Sequence, residues 1–110
     1  MIDLNNLTKL YYTISDVSSM FGLNDSTLRY WETEFTQLHP KKNRKGDRRY
    51  TKEDIAIINK IYILLKEKAY TIKGAKEELK SMVKTERINK KLISKLKQIK
   101  NKLEKIQEQL

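Results

Sequence analysis

Leu28-Arg29-Tyr30-Trp31-Glu32, followed by Pro40-Lys41-Lys42-Asn43-Arg44-Lys45-Gly46-Asp47-Arg48-Arg49-Tyr50, is the stretch whose reading decides the fold. The first piece has the aromatic and basic composition of an amphipathic helix. The second is short and cationic, and it carries one glycine suited to a tight turn. A helix that offers Arg and Tyr can read base edges in a groove. A cationic loop beside it can grip phosphates. The expected architecture is mainly α: a helix-turn-helix with a small two-stranded basic wing.

Upstream, residues 1–10 read as a lightly packed leader in which Leu4, Leu7 and Leu10 share one small helical stripe. Thr13-Ile14-Ser15-Asp16 is a capping box, a hydroxyl at the N-cap with a carboxylate three residues on. A short helix is predicted from there to about Phe21, with Ile14, Val17 and Phe21 on one face. Gly22 supplies the turn, and Asn24 can cap the next helix. That helix buries Leu28, Trp31 and Phe35, spaced three and four apart, so Arg29, Tyr30 and Thr33 point elsewhere. Two short helices joined by about three residues around a glycine are a helix-turn-helix by length and chemistry.

Downstream, Pro40 ends helical geometry. Strands over roughly 39–43 and 48–51 form a hairpin with a polar, basic tip near Gly46, and Tyr50 anchors the second strand in the core. Thr51-Lys52-Glu53-Asp54 is a second capping box. It opens a helix with Ile55, Ile58, Ile61, Tyr62 and Leu65 on one stripe. Thr71 caps a further short helix carrying Ile72, Ala75 and Leu79, which completes a second helical hairpin.

The net charge of +10 is unevenly placed. Residues 1–39 are net −3, residues 40–52 net +6, residues 53–83 net +1 and residues 84–110 net +6. A solvated face usually mixes signs, so a concentrated island such as 40–52 is the electrostatic footprint of a nucleic-acid binder. The chain has no cysteine and one histidine, His39. A disulfide framework, a thiolate metal site and an imidazole-rich metal site are therefore not expected, and no cofactor is implied. No apolar run approaches the roughly 20 residues of a membrane span. The N-terminus lacks the basic and apolar regions of a secretory signal, so a cytoplasmic location is expected. Glu32 and Glu34 stand two apart on a helix and face different ways, unlike a catalytic carboxylate pair. With no Ser-His-Asp, metal-ligand or phosphate-loop constellation, the protein is expected not to be an enzyme.

From Met82 the pattern becomes heptad-like. With a at Met82, Asn89, Leu96, Leu103 and Leu110, the d positions are Thr85, Leu92, Ile99 and Ile106. The repeat is clean from Leu92 onward, so Leu92, Leu96, Ile99, Leu103, Ile106 and Leu110 are the candidate dimerisation residues. A lone helix of this kind is marginal in water, and pairing with a second copy covers its apolar face. Lys95 and Lys102 at g and Lys100 at e crowd like charge beside the seam, while Glu104 and Glu108 lie off it. A weak, salt-strengthened dimer follows. The residues themselves leave its orientation open.

Tyr12-Thr13-Ile14, Gly22-Leu23, Ser26 to Glu32, Pro40, Gly46, Arg48, Tyr50-Thr51, Asp54 and Tyr70 to Ala75 occur in an order and spacing that resemble the DNA-binding domain of the MerR family of bacterial transcription regulators. The resemblance covers residues 11–80, with 1–10 a leader and 81–110 the coiled-coil helix. It implies a recognition helix in the major groove carrying Arg29 and Tyr30, with Ser26 and Thr27 near its start. Arg suits a bidentate contact with guanine. It further implies a wing on the phosphate backbone, through Lys41, Lys42, Asn43, Arg44, Lys45 and Arg48. Arg48 could also pair with a helix acid while facing DNA. Asp47 replaces an aromatic common in the family, which leaves the tip conformation open. The implied partners are double-stranded promoter or operator DNA, a second copy through an antiparallel coiled coil, and RNA polymerase, at the bacterial nucleoid. Family members usually continue into an effector-sensing segment. None follows Leu110, so either a truncated chain or a minimal regulator is expected. Two rival classes are an excisionase-like or architectural DNA-binding accessory and a protein-interaction adaptor.

Overall fold

The computed structural model describes residues 4–109. Residues 1–3 of the expected leader and Leu110, the last expected seam position, lie outside the described residues. The chain forms two compact units, Met1–Leu79 and Lys80–Leu110. In the first, a 3-10 turn over Leu4–Asn6 precedes α1 (Ile14–Phe21), α2 (Asp25–Glu34), β1 (Lys41–Lys42), β2 (Arg48–Arg49) and α3 (Lys52–Tyr62). A π-helical turn, Ile63–Glu67, prolongs α3. The last element, α4 (Ile72–Gln109), starts in the first unit and makes up the second. Leu4 and Leu7 are half-buried, but Leu10 is exposed, so the leader's three leucines do not share one buried stripe.

The start of α1 is fixed locally. The Thr13 hydroxyl accepts from Asp16 N–H at 3.1 Å, and Asp16 Oδ2 accepts from Thr13 N–H at 3.1 Å. The Thr13 N–H bond holds the Asp16 carboxyl below the usual carboxylate range. The cap is therefore intact above the ordinary carboxylate pKa and weakens only in acid, as pH falls through the lowered value. At the other end Gly22 takes φ +65°, and the N–H groups of Gly22 and Leu23 reach back to Ser19 O and Ser18 O. This is the left-handed stop that glycine adopts without a Cβ clash. Asn24 stands at the N-cap of α2, but its side chain makes no cap hydrogen bond. The joint is held instead by the buried Ser18, whose Oγ donates to Asp25 Oδ1 at 2.7 Å.

The core gathers Val17 and Phe21 from α1, Leu28 and Trp31 from α2, then Phe35, Leu38 and Tyr50, with Ile55, Ile58 and Ile61 of α3. Ala75 and Leu79 of α4 are also fully buried. A side chain of this kind contributes about 1.5–3 kcal/mol on burial. The stripe on α3 departs from the expected one. Leu64 is buried, whereas Tyr62 and Leu65 are half-buried. An extrapolated 3.6-residue period assumes an undisturbed helix, and the π turn after Tyr62 widens it. Lys68 N–H donates to Ile63 O, five residues back, and Ala69 then takes φ +55°. The Tyr62 ring packs tilted on Phe21, centroids 5.7 Å apart.

The second hairpin's last arm is not a short helix. It runs without interruption into the tail, because no glycine or proline follows Gly74 to stop it. Lys76 near its start pairs with Glu34 of α2 at 2.6 Å. In the second unit, Ile88, Leu92, Ile93, Leu96, Ile99, Leu103 and Ile106 are all about half exposed or more.

Backbone conformation gives a paired test. Gly22→Ala should lower stability by about 1 kcal/mol, the left-handed cost of a Cβ. Ala69→Gly should lose none, since its strain is relieved as its chain entropy rises. Urea unfolding of both variants checks the signs; equal losses would contradict the assigned turns.

Candidate nucleic-acid interface

The wing is built from its turn outward. Asn43 O accepts from Gly46 N–H at 3.0 Å, and Gly46 sits at φ +86°, which glycine tolerates. The Asn43 side-chain oxygen accepts two further bonds, from Lys45 N–H and Asp47 N–H, each at 2.9 Å. Asn43 therefore shapes the tip with its own amide. Asp47 is accommodated in the turn through its backbone N–H and C=O bonds to Asn43, so the hairpin closes. Lys41 pairs with Arg49 and Lys42 with Arg48 in an antiparallel ladder two residues long on each strand. The ladder is shorter than the expected 39–43 and 48–51. Pro40 has no N–H to donate, and Asn43 belongs to the turn.

The wing is tied to the first two helices. Tyr12 and Tyr50 form an isolated antiparallel bridge, with N–H···O distances of 2.8 and 2.9 Å. Tyr50 is fully buried, and its hydroxyl donates to Glu32 Oε1 at 2.7 Å. Arg48 Nε donates to Glu32 Oε2 at 2.6 Å. One carboxylate of α2 thus receives both β2 and the residue after it. Burial, then the hydrogen bond to Glu32, pushes the Tyr50 hydroxyl well above its ordinary range. The same carboxylate holds the Arg48 guanidinium still more firmly protonated.

Arg29, Asn43, Gly46, Asp47, Arg48 and Arg49 line one open groove of about 720 Å³ together with residues 11–15. A second depression runs over the tip, along Lys42, Asn43, Arg44, Lys45, Asp47 and Arg49. Arg29, Tyr30, Ser26, Lys41, Lys42, Arg44 and Lys45 are exposed, while Thr27, Asn43 and Arg48 are half-buried. Ser26, Thr27 and Tyr30 lie on α2 outside the groove lining. His39 is exposed, its Nδ1 3.0 Å from Thr36 O. Trp31, at 2% exposure, belongs to the core. Two groove residues carried no legible signal as site residues. Arg49 sits in the same cationic run as Arg48, but its face is set by the strand register. Tyr11 is placed by the Tyr12–Tyr50 bridge, a pairing between residues far apart in the chain.

Among the described residues no His, Asp and Glu cluster could hold a metal ion, and no helix is long and apolar enough to cross a membrane. Helix, glycine turn, helix and basic hairpin define a winged helix-turn-helix protein. The chain belongs to the MerR HTH family of regulatory proteins, whose family model matches residues 12–82. An uncharacterized HTH-type transcriptional regulator of Synechocystis sp. is 38% identical over 47 residues, 43% of this chain and 34% of that protein. The match thus spans about a third of that relative's length. The fold is shared with the crystal structure of HiNmlR, a MerR family regulator lacking the sensor domain, bound to promoter DNA. There the TM-score is 0.52 at 24% identity, over 86% of this chain and 85% of that one.

The Glu32 joint is testable by stability. Tyr50→Phe keeps the buried ring and loses one bond to a charged group, about 2 kcal/mol. Glu32→Ala strands the buried Tyr50 hydroxyl as well and should cost more. Thermal or urea unfolding measures both. Losses under about 0.5 kcal/mol, the usual range for surface changes, would mean that the carboxylate does not hold the wing.

Proposed function

We propose that this protein is a sequence-specific, double-stranded DNA-binding transcription regulator that acts as a homodimer. The observation that carries this is the shared groove of Arg29 and the wing. An exposed guanidinium on the recognition helix and a cationic hairpin lie on one side of the unit, as a helix in a groove and a loop on its flank require. Arg29 and Tyr30 read base edges, with Ser26 and Thr27 at the helix start. Lys41, Lys42, Arg44 and Lys45 contact phosphates. Arg48 uses its remaining guanidinium donors toward the backbone, and Asn43 keeps the tip in shape for it. Kinship with a family of regulators, and a fold neighbour whose structure includes promoter DNA, support the same reading.

Residues 11–80 act as the DNA-binding domain and residues 81–110 as the dimerisation helix. Leu92, Leu96, Ile99, Leu103 and Ile106 form the seam, and their exposure in a single chain is the reason to expect a partner. Leu110 would extend it. The antiparallel arrangement, the promoter setting in the bacterial cytoplasm and any contact with RNA polymerase follow the family. The selection of bound sites from random duplexes tests the whole assembly. Inverted half-sites at a fixed spacing are expected. Head-to-tail direct repeats would point to an architectural accessory, and no duplex bound at low salt to a protein adaptor.

Two predictions separate the parts. Arg29→Ala should cost roughly 1–3 kcal/mol on the specific site and relax one base pair per half-site, whereas Lys42→Ala should weaken all duplexes alike and flatten the salt slope. Identical effects of the two on specific and random DNA would overturn this division. Equilibrium sedimentation should show a weak dimer that strengthens with salt, as screening relieves Lys95, Lys100 and Lys102. A monomer at every salt and concentration would remove the tail from the assembly.

A further inference from the structure

The strand register leaves one face of the wing without a counter-charge among the described residues. Directly opposed side chains of an antiparallel pair share a face, and like charges there repel. Lys42 opposes Arg48, and Arg48 is neutralised by Glu32 at 2.6 Å. Lys41 opposes Arg49, and no carboxylate among the described residues is paired with either. The acid nearest in sequence, Asp47, has its carboxylate 3.5 Å from the Asn43 amide. What stands against Arg49 instead is a ring. Its guanidinium carbon lies 5.4 Å from the centroid of Tyr11, within cation–π range. Tyr11 is itself 38% exposed, and both residues line the Arg29 groove.

We infer that Tyr11, Arg49 and Lys41 form a second phosphate site, beside the wing tip, for one backbone phosphate of duplex DNA. The inference rests on the DNA-binding reading above and deepens it. Two opposed cations with no acid between them are a local repulsion that an incoming anion converts to attraction. The flat ring of Tyr11 restrains the guanidinium, so less side-chain freedom is lost when the phosphate arrives. Arg49 stacked in this way still has its edge donors for two phosphate oxygens. The Tyr11 hydroxyl can donate to the same group, and Lys41 adds a point charge from the opposite strand. The contact carries no sequence information. It fixes how far the wing is pressed toward the backbone, and with it the register of Arg29 in the groove.

Binding of specific and random duplexes by Arg49→Ala, Tyr11→Leu and Lys42→Ala, each measured between 50 and 200 mM salt, is the test. Arg49→Ala should weaken specific and random binding by the same factor and lower the salt exponent by about 0.9 per protomer, roughly 1.8 for the dimer, the value of one phosphate contact in each copy. The gap between wild type and variant should therefore narrow about twelvefold over that salt range. Tyr11→Leu keeps the charge, so its loss should be smaller and its exponent unchanged. The melting temperature of Arg49→Ala should match wild type, since an exposed residue facing a like charge adds little to stability. An Arg49→Ala protein with wild-type affinity and exponent, beside a Lys42→Ala protein that loses both, would overturn this site and leave the DNA reading standing. A melting temperature that falls with affinity would make Arg49 structural and also overturn it. Failure of the wild type to bind any duplex at low salt would remove the DNA reading itself.

Discussion

The Glu32 carboxylate is the constraint on which the placement of the wing depends. It lies on α2, one residue past Trp31, so the burial of Trp31 fixes where it emerges. It accepts from Arg48 of β2 and from the hydroxyl of Tyr50. Tyr50 in turn is bridged by backbone to Tyr12, just before the α1 cap, and is followed by Thr51, the cap of α3. Four elements therefore meet within two residues of one side chain. A two-stranded ribbon with two residues per strand has almost no stability of its own. Without this joint, the cationic loop would be a mobile appendage and its distance from Arg29 undefined. An ion pair of this kind is worth little when exposed. Here it is half-buried and shared with a buried phenol, so breaking it leaves a polar group without a partner.

The same joint resolves a conflict within the wing. Both cross-strand pairs are cationic, which opposes hairpin formation. Glu32 neutralises Arg48 of one pair and leaves the other pair to solvent and to whatever anion approaches. Folding thus needs only part of the charge cancelled, and the remainder is left available. The acid at the tip, Asp47, does not undo this, because its main function in the turn is exercised through backbone N–H and C=O groups bonded to Asn43. Charge that destabilises the free wing slightly is the charge that the proposed phosphate contacts would use.

The legible parts of this fold were those governed by local rules. Thr13 and Thr51 announce capping boxes because hydroxyl and carboxylate lie three residues apart, and both boxes form. Gly22 and Gly46 announce turns because each must take positive φ. Leu28, Trp31 and Phe35 announce a buried face by spacing alone. What escaped depends on contacts between distant residues. The Tyr12–Tyr50 bridge and the Tyr11–Arg49 contact both need the strand register, which two residues per strand cannot encode, whereas the pairing of Arg48 with a helix acid was open to the sequence and is met by Glu32. The Asn24 cap was replaced by Ser18–Asp25, a tertiary pair that a search for local caps overlooks. The π turn after Tyr62 shifted the α3 stripe to Leu64, and no breaker residue marks it. The continuation of α4 past residue 80 was masked by the change of pattern from core stripe to heptad, although a change in which face is apolar does not end a helix.

That continuity bears on how the two units share their work. The first unit has its own core and can present its groove without the tail. In the second, Ile88, Leu92, Ile93, Leu96, Ile99, Leu103 and Ile106 are exposed in a single chain, and an isolated helix gains too little from hydrogen bonds alone to be stable. The tail is thus the part whose order the proposed dimer would supply, while the head has a core of its own. α4 is anchored in the head by Ala75, Leu79 and the Glu34–Lys76 pair. In the proposed dimer, association would place two recognition helices on one duplex, which raises the effective concentration of the second contact.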